Sequence, residues 1–481
     1  MAPAGPSAYD AVPYPPRPAA ATHPSRLAAV AHLHGLEPAT PHRCRYLDLG
    51  CGDGVNVLSA AASLPDAAFV GIDASAGAID RGAALAAAAG LDNVRLSVGD
   101  LRDAPGIEPA AHDYVVLHGL LSWVPEEVRE AALAHAARAL APGGVLLASY
   151  NALPGWYMRW PARGLTRELA KQESGDARAA TGAAIEALRL ARELHGAHDA
   201  YAAALDETID RYQNAVPEVL YHDDLAEICE PLGAEEVAEL AGRHGLRYVG
   251  EAFASHWWEH RLPPYSAKRL RHHAGDTALA RQRLADHSSG VPFKATLFAP
   301  AAAVEGEPGI DPARALDLHL SPTDAEAPAE QPKALAALAG ALGTRAPGPV
   351  EGRELAGLAG LSDETAALAL LRLAAEGTAA LWLDPPRFAS EPGPRPVASA
   401  LVRAQVATGG SVSSLRHEAL DFEEPLGRFM LSLLDGTRDR EAVAGQLTVR
   451  ARELGNANAE ITAEQVDGML GELARRALLV A

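Results

Sequence analysis

The stretch that decides the fold is Arg45-Tyr-Leu-Asp-Leu-Gly-Cys-Gly-Asp-Gly-Val-Asn-Val57. Its first residues are mostly apolar and are typical of the end of a buried strand. The turn that follows contains three glycines, and apolar residues then continue at helical spacing to residue 63. A strand, a glycine turn and a helix in this order form the first unit of a doubly wound α/β sheet. The glycines let a ligand lie against the backbone, where a Cβ atom would collide with it.

The turn reads Gly-x-Gly-x-Gly, and Asp48 lies at the end of the strand before it. A carboxylate in this position would repel a pyrophosphate but suits a cation such as an amino group or a sulfonium. The stretch resembles the nucleotide loop of class I S-adenosylmethionine-dependent methyltransferases. The alternative is an ordinary strand–turn–helix in which the glycines serve only the turn.

Two further buried strands, residues 68–73 and 94–100, also end in carboxylates, Asp73 and Asp100. Asp73 lies 19 residues past Gly54, near the spacing expected for an acid that binds ribose hydroxyls. Asp100 is a candidate acceptor for the adenine amino group. Either acid alone could simply cap a helix, but ligands of such sheets bind at the carboxyl edge where all three acids would meet. The predicted cofactor site comprises Asp48, Gly50, Cys51, Gly52, Gly54, Asp73, Ala74, Asp100, Leu101 and His118.

The fourth and fifth strands, residues 113–118 and 145–150, bracket a helix over 126–140 that stops at Pro142-Gly-Gly144. The crevice of such a sheet opens between strands one and four, so the residues after strands four and five should ring the methyl group. His118 is the candidate base, or a hydrogen-bonding residue that shapes the pocket. Tyr150 and Asn151 are predicted to orient an amine. Trp123 and Trp156 are predicted to stack on a substrate cation, although core packing accounts for them equally well.

Residues 157–230 are predicted to be helical, with helices over 165–172, 179–194 and 201–212. A helix over 234–244 and strands over 246–252 and 292–298 follow, and we expect these strands to be the sixth and seventh of the same sheet. The helices of 157–232 would then be an insertion that covers the substrate. The rival interpretation makes residues 157–300 a separate domain. Residues 253–290 are expected to be an irregular excursion.

Residues 301–332 are rich in Pro, Ala, Glu and Asp and are predicted to be a linker. Short helices over 335–342, 352–359 and 362–376 and a strand over 377–383 have the layout of a winged helix. A DNA reader needs a basic recognition helix, and 362–377 has three acids against one arginine, so an interaction module is predicted. A second helical block spans 427–481. The predicted divisions of the chain are 1–156, 157–232, 233–300, 301–332 and 333–481.

The 481-residue chain has a formal charge of −20 and a pI near 5.3. This charge argues against partners such as nucleic acid or an anionic membrane, because phosphate binding needs a positive surface. The three cysteines form no CxxC pair and no metal site, and they fit a reducing cytoplasm. There is no signal peptide and no apolar run of about 18 residues that could span a membrane. We therefore expect a cytoplasmic protein without a metal.

Several separated motifs together resemble one family more closely. They are Tyr14-Pro-Pro16, Thr22-His-Pro24, Leu47-Asp-Leu-Gly-Cys-Gly-Asp-Gly54, Phe69-Val-Gly-Ile-Asp73, His118-Gly-Leu-Leu-Ser-Trp-Val-Pro125 and Ser149-Tyr-Asn-Ala-Leu-Pro-Gly-Trp156. Bacterial methyltransferases with a methyltransferase regulatory domain, including rickettsial protein lysine methyltransferases, carry similar motifs over about residues 7–300. The resemblance implies a cofactor site in the first 155 residues, a helical substrate cover, a winged-helix-like C-terminal part and a homodimer. It also implies an N-terminal lid, with candidates Tyr9, Tyr14 and His23, although a loosely packed tail is the alternative.

The fold class expected from these observations is α/β, a doubly wound Rossmann-like seven-stranded methyltransferase sheet with a helical insertion and a C-terminal winged-helix-like module. The first functional hypothesis is N-methylation of a protein or peptide, at a lysine or another amine, from S-adenosylmethionine. A small-molecule methyltransferase of secondary metabolism is the alternative. A binding protein that has lost turnover is the third hypothesis, and the intact acids at 48, 73 and 100 argue against it.

Overall fold

The computed structural model describes residues 11–103, 106–170, 176–325, 331–422 and 424–481. Its centre is a seven-stranded sheet of order β3-β2-β1-β4-β5-β7-β6. The first five strands are parallel, and β7 runs antiparallel to both of its neighbours. All seven predicted strands are confirmed: β1 Arg45–Leu49, β2 Ala68–Asp73, β3 Val94–Val98, β4 His112–Leu117, β5 Leu140–Asn151, β6 Leu246–Glu251 and β7 Phe293–Pro300.

Helices pack on both faces of this sheet. The early ones are α1 Pro24–Leu33, α2 Val55–Ser63, α3 Ala76–Ala89 and α4 Glu126–Ala139. Successive strand residues point to opposite faces, and the two apolar cores follow this alternation. Tyr46 of β1 packs with Leu27 of α1 in one core, whereas Leu47 packs with Leu133 of α4 in the other. The doubly wound arrangement predicted from the glycine turn is therefore confirmed.

A helical layer lies between β5 and β6 in the chain. Its elements are α5 Trp160–Ala170, α6 Ala177–His195, α7 Ala200–Asn214, α8 Pro217–Asp223 and α9 Ala234–Arg243. The middle helices share a small apolar core of their own, which includes Leu188, Leu205 and Leu220. Because β6 and β7 complete the same sheet as β1 to β5, the fold favours an insertion over a separate domain for residues 157–300.

The expectation of an irregular excursion over residues 253–290 was wrong. This segment contains three helices, α10 Trp258–Arg261, α11 Pro264–Ala274 and α12 Ala278–Ser289. Only Ala267 and Leu270 are buried on α11, and the apolar contribution of α12 to the interior is Ala285. With so few buried residues, these helices have no regular spacing of apolar residues, and the sequence pattern therefore does not indicate them.

The first C-terminal unit follows a short 3-10 helix, Pro312–Asp317. It contains β8 His319–Pro322, α13 Lys333–Gly343, β9 Val350–Glu351, α14 Gly352–Ala359, α15 Asp363–Ala375 and β10 Ala379–Trp382, with the sheet order β10-β8-β9. The predicted helices and the final strand are confirmed. The predicted linker over 301–332 is wrong in part, because it contains β8. The short alternation of Leu316, Leu318 and Leu320, buried in the same core as α1, was hidden by its Pro- and Ala-rich surroundings.

The second C-terminal unit has a core of its own, which includes Val402, Leu431, Leu447 and Leu470. Its elements are α16 Ala400–Thr408, β11 Val412–Ser413, β12 Ala419–Leu420, α17 Pro425–Leu433, α18 Arg440–Glu453 and α19 Ala463–Arg475. The stretch predicted as one module, 333–481, therefore contains two cores. Among the described residues, no helix has the length and apolar character needed to cross a membrane.

Candidate functional site

The glycine turn after β1 is built on left-handed backbone. Gly50, Gly52 and Gly54 have φ values of 81°, 58° and 72°, a region that other residues adopt only with strain. The amides of Gly50 and Cys51 both donate to the carbonyl of Ile72, at 2.8 and 3.1 Å, which ties the turn to β2. The turn therefore holds a fixed shape at the carboxyl end of β1, as the sequence predicted.

Asp73 ends β2 and fixes the same turn from the side. Its Oδ2 accepts a hydrogen bond from the Gly52 amide at 2.8 Å, and its Oδ1 accepts one from the Ser75 amide at 2.8 Å. Each carboxylate oxygen can accept more than one hydrogen bond, so both oxygens keep capacity for ligand hydroxyls. Ser75, and not Asp73, is the N-cap of α3, since its hydroxyl accepts from the Ala78 amide at 3.1 Å.

Asp48 is nearly inaccessible to solvent, with 2% of its surface exposed. Its Oδ2 accepts a hydrogen bond at 3.0 Å from the Nδ2 of Asn56, which lies on α2. Burial raises the pKa of Asp48 to about 7, and the bond from Asn56 acts in the opposite direction. A buried carboxylate of this kind favours a cationic partner. Asn56 lies inside the deciding stretch, but sequence analysis did not single it out, because an amide on a helix carries no distinctive pattern.

Asp100 lies just beyond the end of β3, but its carboxylate already has a cationic partner. The guanidinium Nε of Arg102 donates to both oxygens at 3.0 Å, and the Arg102 amide donates to Oδ1 at 2.9 Å. This side-chain hydrogen bonding lowers the pKa of Asp100. An adenine amino group would have to share the carboxylate with Arg102. Of the two neighbours predicted with Asp100, Leu101 is buried and Ala74, which follows Asp73, is exposed.

His118 follows β4 and is partly buried. Its ring packs edge-on against Phe293 at 6.0 Å between centroids, and its Nδ1 has no hydrogen-bond partner among the described residues. Burial lowers the pKa of His118 to about 4. The imidazole is therefore neutral near pH 7. It can accept or donate a hydrogen bond there, but it holds a proton too weakly to act as a strong base.

The structure brings Trp123 and Trp156 together after β4 and β5. Their rings meet edge to face, with centroids 6.3 Å apart and an interplanar angle of 81°. Trp156 is 2% exposed, and the guanidinium carbon of Arg159 lies 4.6 Å from its ring centroid. Trp123 remains partly exposed. An arginine thus already stacks on one tryptophan, a cation contact that the sequence did not reveal.

Tyr150 and Asn151 end β5 and are both buried. The Tyr150 hydroxyl lies 3.1 Å from Thr296 Oγ1, and its ring packs in the core that contains Leu47 and Phe298. This hydroxyl therefore points into the interior of the sheet, not toward an acceptor amine. Asn151 donates from Nδ2 to the sulfur of Cys229 at 3.6 Å, and its amide donates to Ser122 Oγ at 2.9 Å.

The structure describes two of the three candidate lid residues, and these two lie in different places. Tyr9 lies outside the described residues. The Tyr14 hydroxyl lies 3.5 Å from Asp223 Oδ2 at the end of α8, so this side chain contacts the helical insertion. His23 is fully buried, where it caps α1 through the Ser25 amide and bonds Ser63 Oγ at 2.9 Å. His23 therefore belongs to the interior and not to a moving lid.

The arrangement as a whole fits an adenosyl ligand that carries an amino group. The carboxylate of Asp48 is buried with an amide donor and no basic side chain among its bonded partners in the described residues. The glycine turn leaves no Cβ at three positions, and Asp73 presents both oxygens beside it. The buried, unpaired Nδ1 of His118 adds a polar atom that lacks a partner within the described residues.

Three family models match successive parts of the chain. A methyltransferase domain covers residues 47–144, and a predicted methyltransferase regulatory domain covers 216–299. A PKMT C-terminal winged helix domain covers 394–478. The last match falls on the second C-terminal unit, where sequence analysis had predicted only helices, and not on the helices of 335–376. The methyltransferase domain implies S-adenosylmethionine as the cofactor.

Similar proteins agree with these matches. An uncharacterised protein of Rickettsia prowazekii is 40% identical over 154 residues, covering 31% of this chain and 60% of that protein. The trans-aconitate 2-methyltransferase of Deinococcus radiodurans is 34% identical over 122 residues, covering 25% of this chain and 43% of that enzyme. The chain thus spans about half the length of the curated relatives it matches.

The structure of PKMT2 from Rickettsia typhi, also solved in complex with AdoHcy, has the same fold over nearly the whole chain. The TM-score is 0.81 at 20% identity, and the match covers 98% of this chain and 100% of that one. Both C-terminal units are therefore part of a shared architecture. The chain thus combines, in order, a methyltransferase domain, a methyltransferase regulatory domain and a PKMT-type C-terminal winged helix domain.

Proposed function

We propose that this protein transfers the methyl group of S-adenosylmethionine to an amine of a protein or peptide, with a lysine side chain as the acceptor. Three features support a macromolecular acceptor. A helical insertion follows β5 and returns to its end, where the Leu232 amide donates to the Asn151 carbonyl at 2.8 Å; a PKMT-type winged helix follows, and the fold of PKMT2 extends over both. The observation that carries the proposal is the partly exposed ring of Trp123, which follows β4 and is held edge to face against Trp156, because an aromatic ring attracts a cationic amine.

The loop after β4, which carries Trp123, packs against the cofactor turn. Trp123 donates its amide to Leu120 at 2.9 Å, and a Cβ built on Gly50 would lie 3.0 Å from the Leu120 side chain. An amine that lies against the partly exposed Trp123 is therefore carried by a loop that contacts the glycine turn. Asn151, at the end of the adjacent strand β5, is proposed to orient the amine.

S-adenosylmethionine, when bound, would supply a sulfonium methyl group: a neutral amine forms the new N–C bond in line as the S–C bond breaks, and AdoHcy is the leaving group. The chain's part is mainly to position the two partners. Asp48 is proposed to hold the amino group of the cofactor, and Asp73 its ribose hydroxyls. Asp100 is proposed to contact the adenine alongside Arg102. Tyr150 is assigned to packing behind the site, since its hydroxyl is bonded to Thr296.

The proton on the acceptor needs a route that does not depend on His118. A lysine ammonium has a pKa near 10.4, whereas burial holds the pKa of His118 at about 4. Such a histidine cannot retain the proton that the ammonium releases. Desolvation of the amine against the Trp123 ring lowers the pKa of the amine itself, so the proton leaves to water before the amine is enclosed. His118 is proposed to hydrogen-bond the ligand.

The experiment that tests this proposal is label transfer from radioactive cofactor. The protein is incubated with methyl-labelled S-adenosylmethionine and a bacterial lysate, and macromolecules are separated from small molecules. We expect label in protein that hydrolysis recovers as methylated lysine. The Asp73→Ala variant, in which cofactor binding is expected to be weakened, serves as the control and should transfer less label. Label confined to the small-molecule fraction would overturn the protein acceptor.

A small-molecule acceptor is the second candidate function. It is favoured by the similarity of residues in the cofactor domain to the trans-aconitate 2-methyltransferase of D. radiodurans. Label in extractable metabolites would support it. Tight binding of AdoHcy with no label in either fraction would instead support a binding protein without turnover.

Cofactor affinity is expected to depend on pH through Asp48. Burial raises the pKa of this carboxyl to about 7, and only the ionised form attracts the amino group of AdoHcy. Binding therefore favours loss of the proton, and affinity rises with pH until the free protein is ionised. Calorimetry should find AdoHcy binding about tenfold weaker at pH 6 than at pH 7.5. The profile should be flat in Asp48→Asn, and a flat profile in the unmodified protein would contradict the assignment.

A further inference from the structure

We propose that the hairpin of the C-terminal winged helix completes the cofactor site, with His417 as a positioning residue that holds the Asn56 amide toward Asp48. This hairpin, residues 412–420, is called the C-terminal wing below. The proposal rests on the proposed function only in that Asp48 contacts the cofactor. It assigns to a domain 361 residues away in sequence a direct part in shaping the cofactor pocket.

The tip of the C-terminal wing is inserted into the methyltransferase domain. His417 is fully buried, and its backbone has a φ of 59°, in the left-handed region. The tip is closed by two backbone bonds, from the His417 amide to Ser414 and from the Ser414 amide to Glu418, each 2.9 Å long. This turn directs the imidazole onto α2, where its Nδ1 lies 2.9 Å from Ser59 Oγ.

The hydrogen bonds around His417 assign its tautomer. Nε2 lies 3.1 Å from Asn56 Oδ1, and a carbonyl oxygen only accepts. Nε2 therefore carries the hydrogen, and Nδ1 accepts from the Ser59 hydroxyl. Burial is the main cause that lowers the pKa of His417, to about 3, with Arg26 and His118 adding to it. The ring is neutral and has one fixed donor at physiological pH.

Three donors from two segments of the chain converge on the same carbonyl oxygen. Asn56 Oδ1 accepts from the Ala19 amide at 3.0 Å, from Thr22 Oγ1 at 2.8 Å and from His417 Nε2 at 3.1 Å. A flipped amide would turn its NH2 group toward these donors and its oxygen toward the Asp48 carboxylate. The converging donors therefore fix the orientation in which Nδ2 points to Asp48 at 3.0 Å.

The charge on Asp48 depends on this donor. The carboxylate is enclosed by Tyr46 of its own strand, Cys51 of the turn and Asp73 of β2, and none of these supplies positive charge. The hydrogen bond from Asn56 stabilises the ionised form. If His417 is removed, Asn56 Oδ1 keeps only the donors of Ala19 and Thr22, so the amide is held less firmly and the ionised form of Asp48 loses part of that support. Packing of the C-terminal wing against α2 and binding of the cofactor are then thermodynamically coupled, so each makes the free energy of the other more favourable.

Two amide substitutions separate positioning from packing. His417→Gln keeps a donor at about the reach of the imidazole Nε2, whereas His417→Asn reaches only as far as Nδ1 and tolerates left-handed backbone well. We expect His417→Asn to weaken AdoHcy binding about tenfold by calorimetry, and His417→Gln to weaken it less than threefold. The pH midpoint of AdoHcy affinity should move upward in His417→Asn. Equal losses in both variants, or an unmoved midpoint, would overturn the proposal.

A double-mutant cycle with Asp48→Asn completes the test. Once the carboxylate is gone, the His417→Asn substitution should change AdoHcy affinity less than twofold. An undiminished tenfold loss in that background would assign His417 to general packing and overturn the proposal. The outcome is independent of the acceptor, because AdoHcy binding is measured without methyl transfer. Failure of label transfer with intact linkage would reject only the proposed function, whereas absence of AdoHcy binding in the unmodified protein would reject both.

Discussion

Replacing Asp73 with alanine is expected to weaken AdoHcy binding at least tenfold without unfolding the protein. The carboxylate is proposed to accept two ribose hydroxyls, and hydrogen bonds to a charged group contribute about 1.5–3 kcal/mol each. The carboxylate also accepts hydrogen bonds from the amides of Gly52 and Ser75, at 2.8 Å each, so its loss loosens the glycine turn as well. Calorimetry with AdoHcy measures the loss, and thermal unfolding of the ligand-free variant checks the fold.

Two variants make the Asp73 result specific. Asp66→Ala removes an exposed aspartate from the loop before β2 and should change the affinity less than twofold. Asp73→Asn keeps an acceptor oxygen for the turn but loses the charge, so its affinity should fall between those of the alanine variant and the unmodified protein. Unchanged affinity in Asp73→Ala would remove this residue from the cofactor site.

The second large effect concerns stability and Lys294. This lysine lies on β7 with 0% of its side chain exposed, 2.6 Å from Asp286 Oδ2 and 3.1 Å from Glu251 Oε1. Burial alone lowers the pKa of Lys294, but Glu251, Tyr150 and Asp286 together raise it overall. Removing one partner from a buried ion pair costs about 3–5 kcal/mol, because the remaining charge stays buried and unpaired. Lys294→Met is expected to lose stability in this range by urea unfolding.

The pH dependence of Lys294→Met follows from the two carboxylates left behind. Burial raises the pKa of Glu251 even beside the lysine, so the folded variant retains protons that the unfolded chain releases. Its free energy of unfolding therefore falls as pH rises from about 4 toward neutrality, and the loss should be larger at pH 8 than at pH 5. The same substitution at exposed Lys268 should change stability by less than about 0.5 kcal/mol. A loss below about 1 kcal/mol in Lys294→Met would contradict the role of the cluster.

Local patterns predicted the sheet and the positions of Asp48 and Asp73, two residues of the candidate cofactor site, at the ends of its strands. The strands of the cofactor domain are apolar runs bounded by turn residues, and the acids at 48 and 73 follow directly from where those runs end. The face of the sheet on which Tyr150 lies could also have been predicted from the sequence. Tyr150 is two and four residues beyond Ala148 and Leu146 on β5, so its side chain points to the same face as theirs. Alternation along the strand would have placed its ring in the core, opposite to the face of Asn151.

Local sequence patterns could not predict contacts between distant parts of the chain. His417 and Asn56 are 361 residues apart, and neither belongs to a charged or periodic motif. The stacking of Arg159 on Trp156 depends on how α5 leaves the sheet. The helices of 253–290 bury too few apolar residues to show a period, and β8 is too short to stand out from its Pro-rich surroundings.

The apolar core that contains Leu27 of α1 also contains Leu316, Leu338 and Leu370 of the first C-terminal unit. Dissection of the protein at the apparent boundary near residue 300 would therefore divide one interior between two fragments. Each fragment would expose an apolar surface to water, and such a surface promotes self-association. Expression of the methyltransferase domain as a free-standing piece calls for redesign of that surface, and biochemical work is better served by the whole polypeptide.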